Sequence, residues 1–302
     1  MKNILIAGGS GLVGTRLTQL LQAQEYTVTW LTRTANKPNA LNVKCVAWDI
    51  NNGTIDPTAL QNIDYIINLA GEGIADKRWT KERKKAIIES RIASTQLLIN
   101  TLCTQPHNVK AFVSASAVGY YGATTHHEIL TENTPAYTDF LGTCCAAWEK
   151  EIFKLTNIRT VALRIGIVLT NKGGALPQMA KPVKLFVGSA LGTGKQYIPW
   201  IHIDDLCAQF IAACTNTNYT GVYNAVAPTE EQCTNTEFTK AMAKQLHRPF
   251  LPINVPAFIL KIIVGEMAAV VLNGNKISNT KIAQNGFIYT YPTLQKALAN
   301  LL

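Results

Sequence analysis

The sequence predicts an α/β protein built on a doubly wound parallel sheet, with a smaller and mostly helical C-terminal lobe. Three observations support this fold class. The chain opens with an apolar strand, a glycine turn and a helix that follow one another without a break. Apolar runs then alternate with segments of helical periodicity as far as about residue 170, as expected for a parallel sheet covered on both sides. After that, glycine-rich and proline-rich loops precede a largely helical tail.

The first strand and helix follow from the apolar pattern at the start of the chain. Residues 2–7 form an apolar run closed by a small residue, which is typical of a buried parallel strand. From Leu12 to Leu21 the apolar residues recur at helical spacing. The sequence therefore predicts a strand, a tight turn and a helix in succession.

Three glycines occupy the turn between this strand and this helix. Gly8, Gly11 and Gly14 have the spacing of a dinucleotide-binding turn: the first closes the turn, the second admits a pyrophosphate and the third allows close packing. The phosphates would lie at the helix N-terminus, where free N–H groups and the helix dipole favour negative charge. An ordinary glycine-rich turn has the same composition, but its place between such a strand and helix favours a Rossmann-like dinucleotide site.

The end of the second strand indicates which cofactor is bound. Residues 26–32 form a β-rich apolar run that ends at Thr32 and Arg33, and Lys37 follows with no acidic residue between. An acidic residue here binds the ribose 2′-hydroxyl of NAD, whereas an arginine accepts the 2′-phosphate of NADP. The sequence thus favours NADP, against the alternative that Arg33 is a surface residue beyond a strand.

The remaining strands follow along the chain. Residues 43–48 form a short third strand that ends at Asp49. The Asp49 carboxylate either accepts a hydrogen bond from the adenine amino group or belongs to an ordinary loop. Residues 65–71 form a fourth buried strand whose small final residues would let a cofactor approach the backbone. A helix over residues 80–102 covers the sheet, and residues 111–116 and 160–164 form the fifth and sixth strands.

The change of pattern after residue 170 predicts two parts of the chain. Residues 1–225 would form the dinucleotide-binding domain, with insertions over residues 170–200. Residues 226–302 would form a C-terminal lobe that covers the carboxyl ends of the strands, where ligands bind in open α/β sheets.

Composition excludes several classes of protein. The 302 residues are 47% hydrophobic, enough for a full core, and no apolar stretch reaches the roughly 20 residues of a membrane span. The start of the chain lacks the pattern of a secretory signal, so we expect a cytoplasmic protein with no membrane partner. Seven cysteines without a Cys-x-x-Cys pair indicate reduced thiols, and no metal is expected.

The net charge of +9 raises the question of a nucleic-acid partner. The densest basic run, residues 81–85, lies on one side of the predicted long helix without interleaved aromatic residues, which is typical of a solvated face. A net positive charge also favours binding of a polyanionic cofactor or substrate. We therefore expect a small-molecule substrate and no nucleic acid, in a monomer or homodimer.

Motifs spread over almost the whole chain resemble those of the extended short-chain dehydrogenase/reductases. Besides the glycine turn, they are Asn68-Leu-Ala-Gly71, Ser114-Ala-Ser116 and Trp200-Ile-His-Ile-Asp-Asp205. Further stretches narrow the resemblance to an atypical subgroup called the epimerase family protein, which is sugar-nucleotide epimerase-like and sometimes labelled a cell-division inhibitor. These stretches, which include the subgroup's C-terminal domain of unknown function, are Asn68–Glu72, Arg78–Thr80, Glu89–Arg91, Ser116–Gly122, Trp148–Glu149, Ile198–His202 and Gly286–Pro292.

The resemblance implies an NADP-dependent oxidoreductase or epimerase acting on a sugar nucleotide or another carbonyl compound. Such enzymes transfer hydride to or from nicotinamide with a tyrosine as acid and base, a lysine four residues later and a serine that polarises the substrate oxygen. The expected cofactor contacts are Gly8, Ser10, Gly11, Leu12, Val13, Gly14, Thr32, Arg33, Lys37, Asp49, Leu69, Ala70, Gly71, Arg91 and Val168.

The usual tyrosine and lysine are missing from this sequence. Aligning the helix through Glu149 places Leu141 at the tyrosine position and Cys145 at the lysine position. Leucine has no proton to give, and a neutral thiol cannot stabilise a phenolate. Ser116 fits the serine, and Tyr120 is the candidate for a replacement hydroxyl.

This departure leaves two hypotheses of function. One is an NADP-dependent oxidoreductase or epimerase in which Tyr120, Tyr121 or His202 supplies the proton, although each of these side chains also has a purely structural interpretation. The other is a catalytically silent NADP-binding sensor or regulatory protein whose C-terminal lobe binds a partner.

Overall fold

Strands and helices alternate along most of the chain. The computed structural model describes residues 2–35, 38–126 and 128–302. Its strands are β1 (Asn3–Ala7), β2 (Thr27–Thr32), β3 (Lys44–Asp49), β4 (Thr54–Ile55), β5 (Tyr65–Asn68), β6 (Ala111–Ala117), β7 (Arg159–Ile165), β8 (Ile167–Leu169), β9 (Ser189–Leu191), β10 (Tyr197–Ile198), β11 (Trp200–His202), β12 (Gly221–Ala225), β13 (Cys233–Thr234) and β14 (Leu251–Val255). Its α-helices are α1 (Leu12–Ala23), α2 (Lys81–Thr104), α3 (Phe140–Ile152), α4 (Ala175–Lys184), α5 (Ile203–Thr215), α6 (Asn235–Gln245), α7 (Ala257–Val264), α8 (Ala268–Leu272), α9 (Thr280–Gln284) and α10 (Leu294–Leu301).

The main sheet has the strand order of a Rossmann fold. Its eight strands are arranged β12-β7-β6-β5-β1-β2-β3-β4, and all pairs are parallel except the short edge pair β3 and β4. The chain runs from β1 outward in one direction through β2 and β3, and then returns to start β5 on the other side of β1. The strand order therefore reverses at β1 and β5, which is where ligands bind in this fold. The predicted fold class is confirmed.

Helices cover both faces of this sheet. α1 packs beside α5, α2 packs beside α3, and α3 and α5 both contact the sheet. Because right-handed crossovers that run in opposite directions from β1 put their helices on opposite faces, the two pairs form the two outer layers. The central strand β1 is buried between them, as Ile4, Leu5 and Ile6 show.

A second, smaller core joins distant parts of the chain. α4 and the strands after it pack against α6 and α10, with Trp200, Phe238 and Leu298 buried among them. The strand pair of β9 with β14 and the pair of β10 with β13 link the same regions. The segment over residues 170–200 thus packs with the C-terminal segment.

The main sheet differs from the sequence-based prediction in some details. The fourth strand ends at Asn68 instead of Gly71, because the Asn68 side-chain oxygen accepts a hydrogen bond from the N–H of Ala70 and turns the chain out of the sheet. A further parallel strand, β12, pairs with β7 at the edge of the sheet and was not predicted. Among the described residues, every helix is too short or too polar to cross a bilayer.

Candidate functional site

The turn between β1 and α1 is held by close backbone contacts. Gly8 has a φ of +80°, and a Cβ there would lie 2.8 Å from the carbonyl group of Leu69, just beyond β5. A Cβ on Gly14 would lie 2.5 Å from the carbonyl oxygen of Gly8. Both positions therefore require glycine. These contacts bring the turn, the helix and the end of the neighbouring strand together.

Gly11 is placed differently from these two glycines. Its φ of −73° and ψ of 175° suit any residue, and among the described residues a Cβ there would meet one atom, the Gly8 carbonyl oxygen at 3.2 Å. Gly11 caps α1, whose first turn contains no acidic residue. The free N–H groups of this turn and the helix dipole therefore favour an anion beside Gly11.

A cavity of about 530 Å³ adjoins this turn. Ser10, Gly11 and Leu12 line one side of it, and Arg16 and Lys172 bring positive charge to it. Arg16 is paired with Asp204 through hydrogen bonds of 2.6 Å and 2.9 Å. With Val13 in the first turn of α1, the predicted cofactor contacts between residues 8 and 14 lie together.

The neighbouring Gly9 has a role that the sequence analysis missed. A Cβ at Gly9 would lie 2.2 Å from the Trp30 ring, whose N–H donates to the Thr18 hydroxyl at 2.9 Å. Gly9 therefore makes room for the indole of β2. In the sequence, this contact is indicated only by the large Trp30 side chain in β2.

Arg33 follows β2 at the same edge of the sheet, and its side chain is exposed. Thr32, at the last position of β2, is half-buried. The pKa of Glu72 is lowered mainly by a hydrogen bond from Arg83, and the charge of Arg33 contributes to the same shift. Arg33 therefore lies near the loop that follows β5. The predicted contact Lys37 lies outside the described residues.

The end of β5 is fixed by the Asn68 side chain. Its amide group donates to the Thr95 hydroxyl at 3.1 Å and to the Ser114 hydroxyl at 3.3 Å. The N–H of Leu69 donates to the carbonyl oxygen of Ala7 at 2.8 Å. These bonds hold Leu69 and the residues after it beside the glycine turn.

Arg91 packs over the loop after β5. A Cβ on Gly71 would lie 3.2 Å from the Arg91 Cγ, and the guanidinium lies 5.2 Å from the centre of the Trp148 ring. The same guanidinium donates to the carbonyl oxygens of Glu72 at 3.0 Å and Ile87 at 2.9 Å. The structure thus brings Arg91 together with Gly71 and Glu72.

Two other predicted cofactor contacts lie on strands other than β1 and β2. The Asp49 carboxylate accepts hydrogen bonds from the backbone and side chain of Asn52, which lower its pKa, and a further bond from the Asn51 N–H. Asp49 therefore closes its own loop, one of the two roles that the sequence left open. Val168 lies in β8 opposite Ile201 of β11, outside the main sheet. Cofactor contact at both residues stays a prediction.

A buried ion pair lies beside the candidate catalytic residues. The side chains of Arg164 and Glu149 are 3% and 8% exposed, and two hydrogen bonds of 2.8 Å join them. Ser116 donates its hydroxyl proton to the same carboxylate at 2.6 Å. A role for Ser116 in polarising a substrate oxygen would require this bond to break. One sign of the pair is visible in the sequence, since Glu149 and Arg164 each follow a run of mostly apolar residues.

The two adjacent tyrosines have different surroundings. The Tyr121 hydroxyl donates to the Asn224 side chain at 2.7 Å and accepts from Arg164 at 3.0 Å, and burial raises the pKa of Tyr121 to about 12. The ring of Tyr120 lies 3.4 Å from the Arg164 guanidinium carbon. Within the described part of the chain, the Tyr120 hydroxyl has no hydrogen-bond partner. Tyr120 is therefore the tyrosine whose hydroxyl is free to act on a ligand.

The residues at the tyrosine and lysine positions are both buried. Leu141 and Cys145 lie on one side of α3, where a Cβ on Gly119 would meet the Leu141 Cβ at 3.4 Å and the Cys145 sulfur at 3.6 Å. Burial raises the pKa of the Cys145 thiol far above its ordinary value, so the thiol is neutral. Neither residue can carry the proton chemistry of the missing pair.

His202 connects the start of α5 to the C-terminal helix. Its Nδ1 accepts from the N–H of Asp204 at 3.1 Å, and its Nε2 lies 3.1 Å from the Asn300 side-chain oxygen. The ring stacks on Tyr291 with centroids 3.7 Å apart, and burial lowers the pKa of His202. The neighbouring Asp205 accepts from the backbone of residues 290 and 291. Both nitrogens of His202 are therefore engaged in structural contacts.

A cleft of about 810 Å³ lies beside the start of α3. Trp79, Phe140 and Leu141 line one side, and residues of α7 and α8 line the other. The Lys84 ammonium lies 5.9 Å from the Trp79 ring centre and 5.4 Å from that of Phe140. The volume and the largely apolar lining are typical of a small-molecule site.

Comparison with known proteins identifies the family. A profile of the NAD dependent epimerase/dehydratase family matches residues 4–225. The chain belongs to this family. A second profile, a domain of unknown function named DUF1731, matches residues 255–301. The epimerase family protein YfhF of Bacillus subtilis is 35% identical over 303 residues, covering 99% of this chain and 98% of that protein.

Solved structures of other proteins show the same fold. The crystal structure of the human epimerase family protein SDR39U1 (isoform 2) with NADPH has a TM-score of 0.88 and 32% identity, covering 99% of this chain and 98% of that chain. UDP-glucuronic acid 4-epimerase from Bacillus cereus, in complex with UDP-glucuronic acid and NAD, has a TM-score of 0.76 and 19% identity. The match covers 98% of this chain and 96% of that chain. At that identity the likeness concerns the fold alone. The resemblance to epimerase family proteins is confirmed.

Proposed function

We propose that the protein binds NADP(H) along the turn between β1 and α1 and transfers a hydride between this cofactor and a small carbonyl or alcohol substrate. The observation that supports this most directly is the turn itself, in which Gly8 and Gly14 have tight backbone contacts while Gly11, in an extended conformation, lines the adjoining cavity. When bound, the nicotinamide supplies or accepts the hydride. The exposed Arg33 after β2 and the NADPH held by the human family member support NADP(H) over NAD.

Tyr120 is our candidate for the proton donor. Reduction of a carbonyl group leaves an oxyanion that must take up a proton, and a positioned acid assists that step. The Arg164 guanidinium orients the Tyr120 ring, and the Tyr120 hydroxyl makes no hydrogen bond within residues 2–35, 38–126 and 128–302. The cleft beside Leu141 is our candidate for the substrate site, and the predicted lobe over residues 226–302 supplies its outer wall.

The test is NADPH oxidation with a panel of aldehydes, ketones and sugar nucleotides. Wild-type turnover of one panel member should fall by about 10²–10⁴-fold in Tyr120→Phe, because the phenol proton is lost. NADPH binding should be unchanged in this variant. Tyr26→Phe, just before β2 and outside the lining of the cleft, is the matched control and should retain full turnover. Turnover that persists in Tyr120→Phe would assign proton donation to another group.

One observation favours a second function, that of an NADP(H)-binding sensor without turnover. Leu141 and Cys145 are buried at the positions of the missing pair, and the Cys145 thiol is neutral. Tight NADPH binding with no oxidation across the panel would support this function. The division of the chain after residue 225, the cytoplasmic location and the monomeric or homodimeric state remain predictions of the same proposal.

A further inference from the structure

Exposed apolar side chains are concentrated on α7. The helix reads Ala-Phe-Ile-Leu-Lys-Ile-Ile-Val, yet none of its residues is buried. Phe258 is 64% exposed, Ile262 is 70% exposed and Ile263 is 60% exposed. A helix that is apolar on all sides is usually buried in a core or in a membrane. Here those side chains face solvent, and exposed patches of this kind mark interaction sites.

The apolar surface continues onto the neighbouring elements. β14 leads into α7 and carries Ile253, which is 79% exposed. The N–H of Leu251 in β14 donates to the carbonyl oxygen of Gly188 at 2.8 Å, so the exposed segment before β9 lies alongside. We define the apolar face as Leu185, Phe186, Ile253, Phe258, Ile262 and Ile263.

Basic side chains accompany the apolar face. Lys184 precedes Leu185, Lys261 lies within α7, and the Arg248 guanidinium lies 4.6 Å from the centre of the Phe186 ring. All three are exposed, and none forms an ion pair with another described residue. Glu266, the acidic residue after α7, is paired with Lys84 of α2. The face therefore combines apolar side chains with uncompensated positive charge.

We propose that the apolar face docks the protein onto an anionic membrane surface, with α7 lying at the level of the lipid headgroups. Apolar side chains that enter the headgroup boundary and basic residues beside anionic lipids both strengthen such binding. A symmetric dimer through the same face would bring the basic residues of two copies together, and like charges oppose that contact. Charge complementarity thus selects an anionic bilayer over a second copy of this chain.

This differs from the expectation, based on sequence, that the protein has no membrane partner. That expectation rested on the length needed to cross a bilayer, and the eight residues of α7 are far short of it. Surface binding needs only an exposed apolar side and nearby positive charge. The pairing of β9 with β14 brings residues 185–186 near the start of β14, which leads into α7, although the two segments are separated in sequence.

The experiment is vesicle flotation with the full chain. The wild type should float with vesicles of phosphatidylcholine mixed with phosphatidylglycerol, bind much less to phosphatidylcholine alone, and dissociate as the NaCl concentration rises. Replacing two exposed apolar residues, Phe258→Ser with Ile262→Ser, should weaken binding by at least about tenfold. The matched control is Ile288→Ser, at a side chain that is 87% exposed and outside the apolar face.

A charge variant tests the electrostatic part separately. Lys261→Gln with Arg248→Gln should weaken binding by about fivefold for each charge removed, whereas Lys150→Gln on α3 should bind like the wild type. If the wild-type protein floats with neither vesicle type, or equally with both, the proposal is overturned whatever the variants do. A dimer in sedimentation velocity that Phe258→Ser with Ile262→Ser abolishes, in a protein that does not float, would overturn it in favour of a second copy.

Discussion

Glu149→Gln should destabilise the fold strongly, because it leaves the Arg164 guanidinium buried without a counter-charge. The amide keeps the size of the carboxylate and can still accept from Ser116, so the loss concerns charge and not volume. The Arg164 side chain is 3% exposed, and water cannot replace the lost partner. Removing one member of a buried pair costs about 3–5 kcal/mol of the free energy of unfolding.

Glu151→Gln is the matched control on the same helix. Glu151 pairs with Lys154 at 2.8 Å, but that lysine side chain is 54% exposed. A pair open to solvent on one side contributes about 0–1 kcal/mol. Urea denaturation followed by circular dichroism should therefore separate the two variants by at least about 2 kcal/mol. Equal midpoints would refute the reasoning.

A double variant distinguishes charge from packing. Glu149→Leu with Arg164→Met removes both charges and keeps apolar volume, so it should recover most of the stability lost in Glu149→Gln. If the double variant is as unstable as the single one, loss of packing and not an unpaired charge explains the result.

Further predictions concern the turn, the buried histidine and the free tyrosine. Gly11→Val should abolish NADPH binding with little change in melting temperature. Gly8→Val should unfold the protein, because Gly8 has a positive φ and a Cβ there would lie 2.8 Å from the backbone of Leu69. If Gly11→Val still binds NADPH, the phosphates must lie elsewhere. Because burial lowers the pKa of His202, the unfolded chain takes up a proton first as the pH falls, so wild-type stability should decline below about pH 6.5 and more steeply than that of His202→Gln. If the melting temperatures of the wild type and His202→Gln fall in parallel from about pH 8 to about pH 5, this prediction is wrong. Tyr120→Phe should lose turnover but not NADPH affinity in paired kinetic and binding assays.

Most of the sheet could be predicted because its signals are local. Apolar runs mark β1, β2 and β6 directly, and the glycine spacing marks the turn before α1. The edge strand β12 was missed because its short sequence, Gly-Val-Tyr-Asn-Ala, contains a glycine and an asparagine. Its Asn224 is buried because the side chain bonds to Tyr121 and to residue 278, contacts that no local pattern indicates.

The candidate site was less predictable because its groups come from distant elements. Ser116, Glu149 and Arg164 lie on β6, α3 and β7, and their residue types were visible although their hydrogen bonds were not. The sequence raised Ser116 as the serine that polarises the substrate oxygen and Tyr120 as a replacement hydroxyl. The structure gives the Ser116 proton a buried acceptor and leaves the Tyr120 hydroxyl without a described partner.

Direct titration of NADPH and NADH, followed by cofactor fluorescence, tests the central claim most directly. The wild type should bind NADPH more tightly than NADH, and Arg33→Ala should weaken NADPH binding by about 1.5–3 kcal/mol while leaving NADH nearly unchanged. The reason is that Arg33 stands exposed after β2 with no acidic residue beside it in sequence, which suits a 2′-phosphate. Equal affinities of the wild type for the two cofactors, or no binding of either, would contradict the account.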